Sequence, residues 1–237
     1  MVPGNYLKPL ALRFVSAGLR LPERQVDRLI EMIRLRDLLR SLAVNCVLDV
    51  GANRGQFATD LRAIGYSGEI ISFEPVWREF QALQRSFSRD RYWTGQEVAL
   101  GSVDGTASLT VPDATVFSSF LSLLSPMPGT TRTEVEIRRL DGLLPALLRH
   151  VARPRVFLKM DTQGFDLEVF RGAENCLHWI VGLQSEISVV PMYAEMPHYL
   201  DSLHEYERHG YVLHHLAVVN RTSRQDLLEL NCFMRRP

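Results

Sequence analysis

Apolar and polar positions fall into three regimes along the chain. Over residues 6–43 the apolar positions recur at helical spacing: Leu7, Leu10, Ala11, Phe14 and Val15, then Val26, Leu29, Ile30 and Ile33. This predicts two helices, the second opening near Pro22, whose fixed φ suits a first helical turn. From residue 45 short apolar runs alternate with amphipathic segments. "CVLDV", "EIISFEP", "QEVALG", "RVFLKMD" and "IVGLQSEIS" read as strands. "QFATDLRAIG", closed by Gly65, reads as a helix, as do "VWREFQALQRSF", "FDLEVFRGA" and "MPHYLDSLHEYERHG". "TASLTV" and "TEVEIRRL" alternate like exposed antiparallel strands on either side of "SSFLSLLSPMPGTT", a loop or lid. In the last regime, "YVLHHLAVV" and "LLELNCFMR" predict a closing strand pair.

Strands alternating with helices imply an α/β fold, a mostly parallel sheet with helices on both faces. There is no internal repeat and no linker, so the chain divides into an N-terminal helical extension, residues 1–44, and one α/β domain, residues 45–237. Such sheets bind ligands beyond the carboxyl ends of their strands, near the point where strand order reverses. Asp49, Glu74, Asp161 and Glu186 are the acids at those ends.

Composition changes this picture little. Of 237 residues 46% are hydrophobic and 23% charged, an ordinary globular balance. Lys+Arg and Asp+Glu are both 27, which removes the electrostatic argument for a nucleic-acid partner. The arginines between Arg13 and Arg40 make the N-terminal region basic. They read as the solvated face of packed helices, and leave open a peripheral contact with a lipid-linked acceptor. Cys46, Cys176 and Cys232 are scattered and odd in number, as expected of reduced thiols. No apolar run approaches the roughly 18 residues of a membrane span, and the first residues lack a signal-peptide pattern. A cytoplasmic protein is expected, and a homo-oligomer is left open.

The chemistry begins at "VLDVGANRGQF", residues 47–57, where a strand stops and turns through Gly51 and Gly55 into a helix starting near Gln56. Such a turn aims free N–H groups and a positive dipole end at a carboxylate or phosphate. A dinucleotide fingerprint would need glycine at 51, 53 and 56, but Asn53 and Gln56 stand at the last two, and there is no phosphate-loop lysine. Glu74 ends the next strand, where an acid accepts from both hydroxyls of a ribose. A ribose acceptor beside a turn with no pyrophosphate cradle suits S-adenosylmethionine. The alternative is a plain strand-to-helix turn.

"VLDVGANRGQF", "SFEP", "VALGSVDGTASL", "LKMDTQGFDLEVFRGA" and "SEISVVPMY" resemble successive landmarks of the FkbM-type methyltransferases, over about residues 45–235. The resemblance implies a class I methyltransferase fold: a Rossmann-like three-layer sandwich, mostly parallel, with an antiparallel last strand, here preceded by N-terminal helices. It implies S-adenosylmethionine-dependent O-methylation, usually of a sugar hydroxyl in a glycoside, glycolipid or polysaccharide, otherwise of a polyketide. It assigns Asp49, Gly51, Asn53 and Gly55 to the cofactor turn, Glu74 to the ribose, and Glu97 and Val98 to the adenine. Asp166 departs from the family, which more often has glutamate there.

Methyl transfer to an alcohol needs alignment and a way to remove the hydroxyl proton. Phe157, Lys159 and Asp161 alternate onto one strand face, so Lys159 and Asp161 border the cleft, Asp161 on the cofactor side as well. A buried ion pair tying strand ends is the other reading of Lys159. Glu186 faces Asp161 across the acceptor site, and the two carboxylates leave Mg²⁺ open. His198 is a second candidate base. Gln163, Tyr193 and Ser119 are candidate acceptor contacts, with Ser118 beside them. A binding protein without turnover is the alternative from another class.

Overall fold

The computed structural model of the chain describes residues 23–237 apart from Pro126. The first expected N-terminal helix and Pro22 lie outside the described residues. Helix α1 (Glu23–Ser41) leads into β1 (Cys46–Val50), α2 (Gln56–Ala63), β2 (Glu69–Phe73), α3 (Trp77–Phe87) and β3 (Trp93–Gln96). A short strand, β4 (Ala99–Leu100), then starts a second sheet with β5 (Gly105–Val111) and β6 (Thr131–Arg138). The chain returns through α4 (Leu140–Leu147), β7 (Val156–Met160), α5 (Asp166–Arg171), β8 (Ile180–Ser188), α6 (Tyr199–Arg208), β9 (Val212–Arg221) and β10 (Leu227–Arg235).

The main sheet has seven strands in the order β3-β2-β1-β7-β8-β10-β9. The first five run parallel, and β10 is antiparallel to both neighbours. This is the mostly parallel, three-layer arrangement with an antiparallel last strand that the sequence implied. Alternation explains the layers. Val47 of β1 and Phe157 of β7 face Leu35, Leu61 and Leu83 from α1, α2 and α3. Leu48, Val50, Leu158 and Met160 face Leu144, Phe170 and Tyr206 from α4, α5 and α6. Strand order reverses between β1 and β7, so the carboxyl ends of these two strands open the expected crevice.

Three expectations need correction. Leu29, Ile30 and Ile33 are exposed; α1 packs instead through Met32, Leu35, Leu38 and Leu39. "QEVALG" is not one strand: the third parallel strand ends at Gln96, and Ala99 and Leu100 pair with Ile137 and Arg138 in the second sheet. Helix α4 has no counterpart in the sequence reading, and carries Pro145 inside it. The antiparallel pair β5 and β6 and the closing pair β9 and β10 form as expected. No helix among the described residues is long and apolar enough to cross a membrane.

Candidate functional site

A cleft of about 310 Å³ lies over the carboxyl ends of β1, β2, β7 and β8. Its floor begins at Gly51 and Ala52, whose N–H groups donate to the Phe73 carbonyl of β2 at 3.1 and 3.0 Å. Gly51 has φ +72°, and a Cβ there would stand 2.1 Å from the Asp161 carbonyl oxygen. The glycine is thus required by the turn and by close approach of the β7 end, before any ligand is considered. Gly55, at φ +89°, caps α2 beneath Phe87 and Leu83 and does not line the cleft. Asn53 does line it, and ties the turn to the opposite wall by donating to Thr115 Oγ1 at 3.1 Å.

Glu74 closes the cofactor end. Its Oε2 accepts from the Asn53 N–H and its Oε1 from the Val76 N–H, both at 2.8 Å. Each oxygen keeps acceptor capacity beyond its backbone bond, as a pair of ribose hydroxyls requires. Burial pushes the carboxyl up to about 7, against the opposing pull of those two N–H groups. Val98, Leu100, Leu109 and Phe73 give this end apolar walls for a planar base, whereas Glu97 is exposed and outside the lining. The residues present therefore fit S-adenosylmethionine.

Asp49 is fully buried beneath the cleft and does not line it. Its Oδ1 accepts from Lys159 Nζ at 3.0 Å, an ion pair made because β1 and β7 pair in register at these two residues. Lys159 also lies near the carbonyls of Val50 and Gly51, 3.7 Å from Asp161 Oδ2 and over the Phe57 ring. Burial works against its charge, but the carboxylates of Asp49 and Asp161 outweigh it and hold the ammonium above the ordinary lysine value. A lysine held charged is no general base, so Lys159 takes the structural reading, an ion pair tying strand ends.

At the acceptor end Asp161 and Glu186 both line the cleft. The Gln163 amide lies between them, donating from Nε2 to Asp161 Oδ1 at 3.1 Å and to Glu186 Oε1 at 3.0 Å. Burial, then Asp161, Glu229 and Asp166, push the Glu186 carboxyl well above its usual range. Beneath them Asp166 braces the two strand ends. Its Oδ1 accepts from the Thr162 N–H at 2.8 Å and from the Thr162 hydroxyl; its Oδ2 accepts from Ser185 Oγ at 2.7 Å and the Glu186 N–H at 3.1 Å. The sequence marked Asp166 only as a departure from the resembled family's glutamate and by its place in a first helical turn, not for this bracing task.

Several expected contacts lie elsewhere. Gln163, Tyr193 and Ser119 are buried behind the wall: Tyr193 OH lies 2.9 Å from the Phe117 carbonyl and 3.1 Å from Gln163 Oε1, and Ser119 Oγ donates to the Gln163 carbonyl at 2.8 Å. Ser118 lines the cleft with Thr115, Val116 and Phe120. His198 is exposed and caps α6, its Nδ1 accepting from the Leu200 N–H at 3.4 Å, so it is no base for this cleft. Mg²⁺ does not fit: both carboxylates receive amide hydrogens where a cation would sit, and among the described residues no three His, Cys, Asp or Glu side chains converge. Arg28, Gln184, Val219 and Asn231 were not anticipated, yet they complete the outer wall.

The methyltransferase FkbM domain model matches residues 49–213. The chain belongs to the FkbM methyltransferase family. This FkbM protein is accordingly an S-adenosylmethionine-dependent methyltransferase of class I fold. No curated protein sequence matches it. Its overall shape is similar to magnesium protoporphyrin IX methyltransferase from Synechocystis PCC 6803, solved with bound S-adenosylmethionine, at 11% identity and a TM-score of 0.48, over 92% of this chain and 86% of that one. Aeropyrum pernix fibrillarin, also solved with S-adenosylmethionine, is similar at 12% identity and 0.45, over 80% of this chain and 66% of that one. An rRNA methylase from Streptococcus thermophilus is similar at 11% identity and 0.45, over 86% and 94%.

Proposed function

We propose that this FkbM protein is an O-methyltransferase acting on a hydroxyl of a sugar, in a glycoside, glycolipid or polysaccharide. The observation that carries the reading is the polarity of the acceptor end. Beyond Asp161 and Glu186 the wall is Gln184, Asn231, Arg28 and Val219, and Arg28, Asn231 and Val219 are shared with a second cavity of about 260 Å³. Its further lining is Asp27, Glu31, Arg221, Thr222 and Gln225, with Val218 as the one added apolar side chain. A run of donors and acceptors suits a molecule with many hydroxyls, since each buried hydroxyl needs a partner.

Bound S-adenosylmethionine supplies an electrophilic methyl group on a sulfonium. Glu74 would hold the ribose, and Gly51, Ala52 and Asn53 would border the amino-acid portion. Asp161 and Glu186 would orient the acceptor hydroxyl and take its proton. Lys159 keeps the β1 and β7 ends together through its ion pair with Asp49. Thr115, Val116, Ser118 and Phe120 cover the cleft and limit water.

The test is calorimetry with S-adenosylmethionine, followed by a methyl-transfer screen over glycosides and over aromatic and polyketide hydroxyls. Turnover with glycosides supports the reading; turnover with polyketides alone replaces it. Asp161→Ala and Glu186→Ala should lower kcat more than cofactor affinity. Wild-type turnover in both variants would remove the carboxylates from the mechanism. Chelation should leave the rate unchanged, because the donor set does not suit a cation.

A further inference from the structure

The second cavity adjoins the cleft between α1 and the hairpin of β9 and β10, with Arg28, Val219 and Asn231 bordering both spaces. This shared wall is fixed by Glu31, a buried carboxylate of α1. Its Oε2 accepts from Arg28 at 3.2 Å and its Oε1 from Asn231 Nδ2 at 2.8 Å, which ties α1 to β10 across 200 positions of sequence. On the far side the hairpin turn is held by its own bonds. Thr222 Oγ1 accepts from the N–H groups of Arg224 and Asp226, both at 3.1 Å, and Arg221 Nη1 donates to the Gln225 carbonyl at 3.0 Å. Both walls are thus formed before any ligand arrives, as binding sites usually are.

Two buried polar atoms along this path have no partner among the described residues: Gln184 Oε1 at the cleft and Arg221 Nε at the second cavity. A donor or acceptor left unpaired and out of water is costly, so each points to a group that completes it. Size points the same way. Small-molecule sites occupy about 300–1,000 Å³. A cleft of about 310 Å³ is used up by the cofactor and one acceptor unit, which leaves the adjoining 260 Å³ for something more. Charge narrows the occupant. Asp27 and Glu31 oppose Arg28 and Arg221, and Arg28 is already engaged by Glu31 and Asp60. An anion would meet as many acids as bases here. A neutral polyol finds donors and acceptors of both kinds, Thr222 and Gln225 among them.

We propose that the second cavity is a subsite for a further neutral sugar unit, glycosidically joined to the unit that is methylated, so that the acceptor is a glycan of two or more units. The inference rests on the sugar reading of the acceptor end and narrows it. Arg221 Nε donates to a hydroxyl of the distal unit. Asn231, with one amide hydrogen committed to Glu31, keeps its second for the linkage that crosses the shared wall.

The test is methyl transfer from radiolabelled S-adenosylmethionine to the methyl glycosides of glucose, galactose and mannose and to their disaccharides, with disaccharides ending in a uronic acid as the charged arm. The linked neutral sugars should exceed the methyl glycosides by about tenfold in kcat/KM, the worth of one or two hydrogen bonds. Arg221→Met removes the unpaired donor and should lower that ratio. Asp27→Trp fills the cavity from α1 and should bring the ratio near unity. Equal kcat/KM for single and linked sugars would overturn the inference, as would an undiminished ratio in the variants or a preference for the acidic disaccharides. Should one variant fail to fold, the other decides. Absence of label on every sugar would refute the sugar reading itself, and the subsite with it.

Discussion

Replacing Glu74 by glutamine tests the cofactor end of the cleft with little change in shape. The carboxylate already accepts from Asn53 and Val76, so alanine would strip two backbone donors and confuse folding with binding. Glutamine keeps one acceptor oxygen and loses the charge. Each hydrogen bond to a charged group is worth about 1.5–3 kcal/mol. With one of two ribose bonds lost and the other weakened, about 3 kcal/mol disappears, or roughly 100-fold in Kd. The pH dependence is more diagnostic. The free carboxyl titrates at about 7 against an ordinary 4.5, and ribose hydroxyls donate to its charged form. Affinity should therefore weaken as pH falls below 7, by up to about tenfold per unit. Fold stability moves oppositely: between 4.5 and 7 the native state binds more protons than the unfolded one, so stability falls as pH rises through that window. Calorimetric titration with S-adenosylhomocysteine from pH 5 to 8 reads the affinity without the sulfonium. A Kd in Glu74→Gln within twofold of wild type, or an undiminished pH slope, would refute the ribose assignment.

Lys159→Met leaves Asp49 buried and unpaired, and should cost about 3–5 kcal/mol in urea denaturation; pairing it with Asp49→Leu should recover much of that loss. Gly51→Ala places a Cβ against the Asp161 carbonyl at positive φ, and should lower Tm sharply and abolish cofactor binding, whereas Gly105→Ala, with open space around it, should do neither. Asp166→Asn keeps the shape and loses charged acceptors for Thr162, Ser185 and the Glu186 N–H; destabilisation of about 2 kcal/mol or more is expected, with kcat falling beyond what lost folded protein explains.

The strands were legible where apolar residues run without interruption. "IVGLQSEIS" is β8 to the residue, because a central strand buried on both faces has nothing else to be. The turn at Gly51 and the acid at Glu74 were legible because backbone geometry and strand ends are local facts. Helix α4 was hidden by Gly142 and Pro145, which read as breakers although packing of Leu140 and Leu144 overrides them. The face of α1 was misread because apolar residues at 29, 30 and 33 and at 35, 38 and 39 both fit a helical stripe; only the position of the sheet decides between them. Lys159 was placed at the cleft by alternation, but its partner depends on the β1–β7 register, which no single segment contains. Gln163 was taken as a substrate contact for the same reason: apart from Asp161, the residues that occupy its amide lie on β8 and in the segment after it.

The second sheet hangs from the main one by a narrow stem. The Gly101 N–H donates to the Arg138 carbonyl at 3.1 Å, and the Arg139 N–H to Asp104 Oδ1 at 2.7 Å, so the chain leaves and re-enters at neighbouring points. None of the segment between belongs to the seven-stranded ladder; it reaches the rest of the site through side chains, Leu109 at the cleft wall and Thr115 on Asn53. The donor half is bound by register and close approach, as at Gly51. Exchanging residues 102–138 between relatives is the experiment that asks whether the roof carries acceptor choice while the main sheet stays untouched.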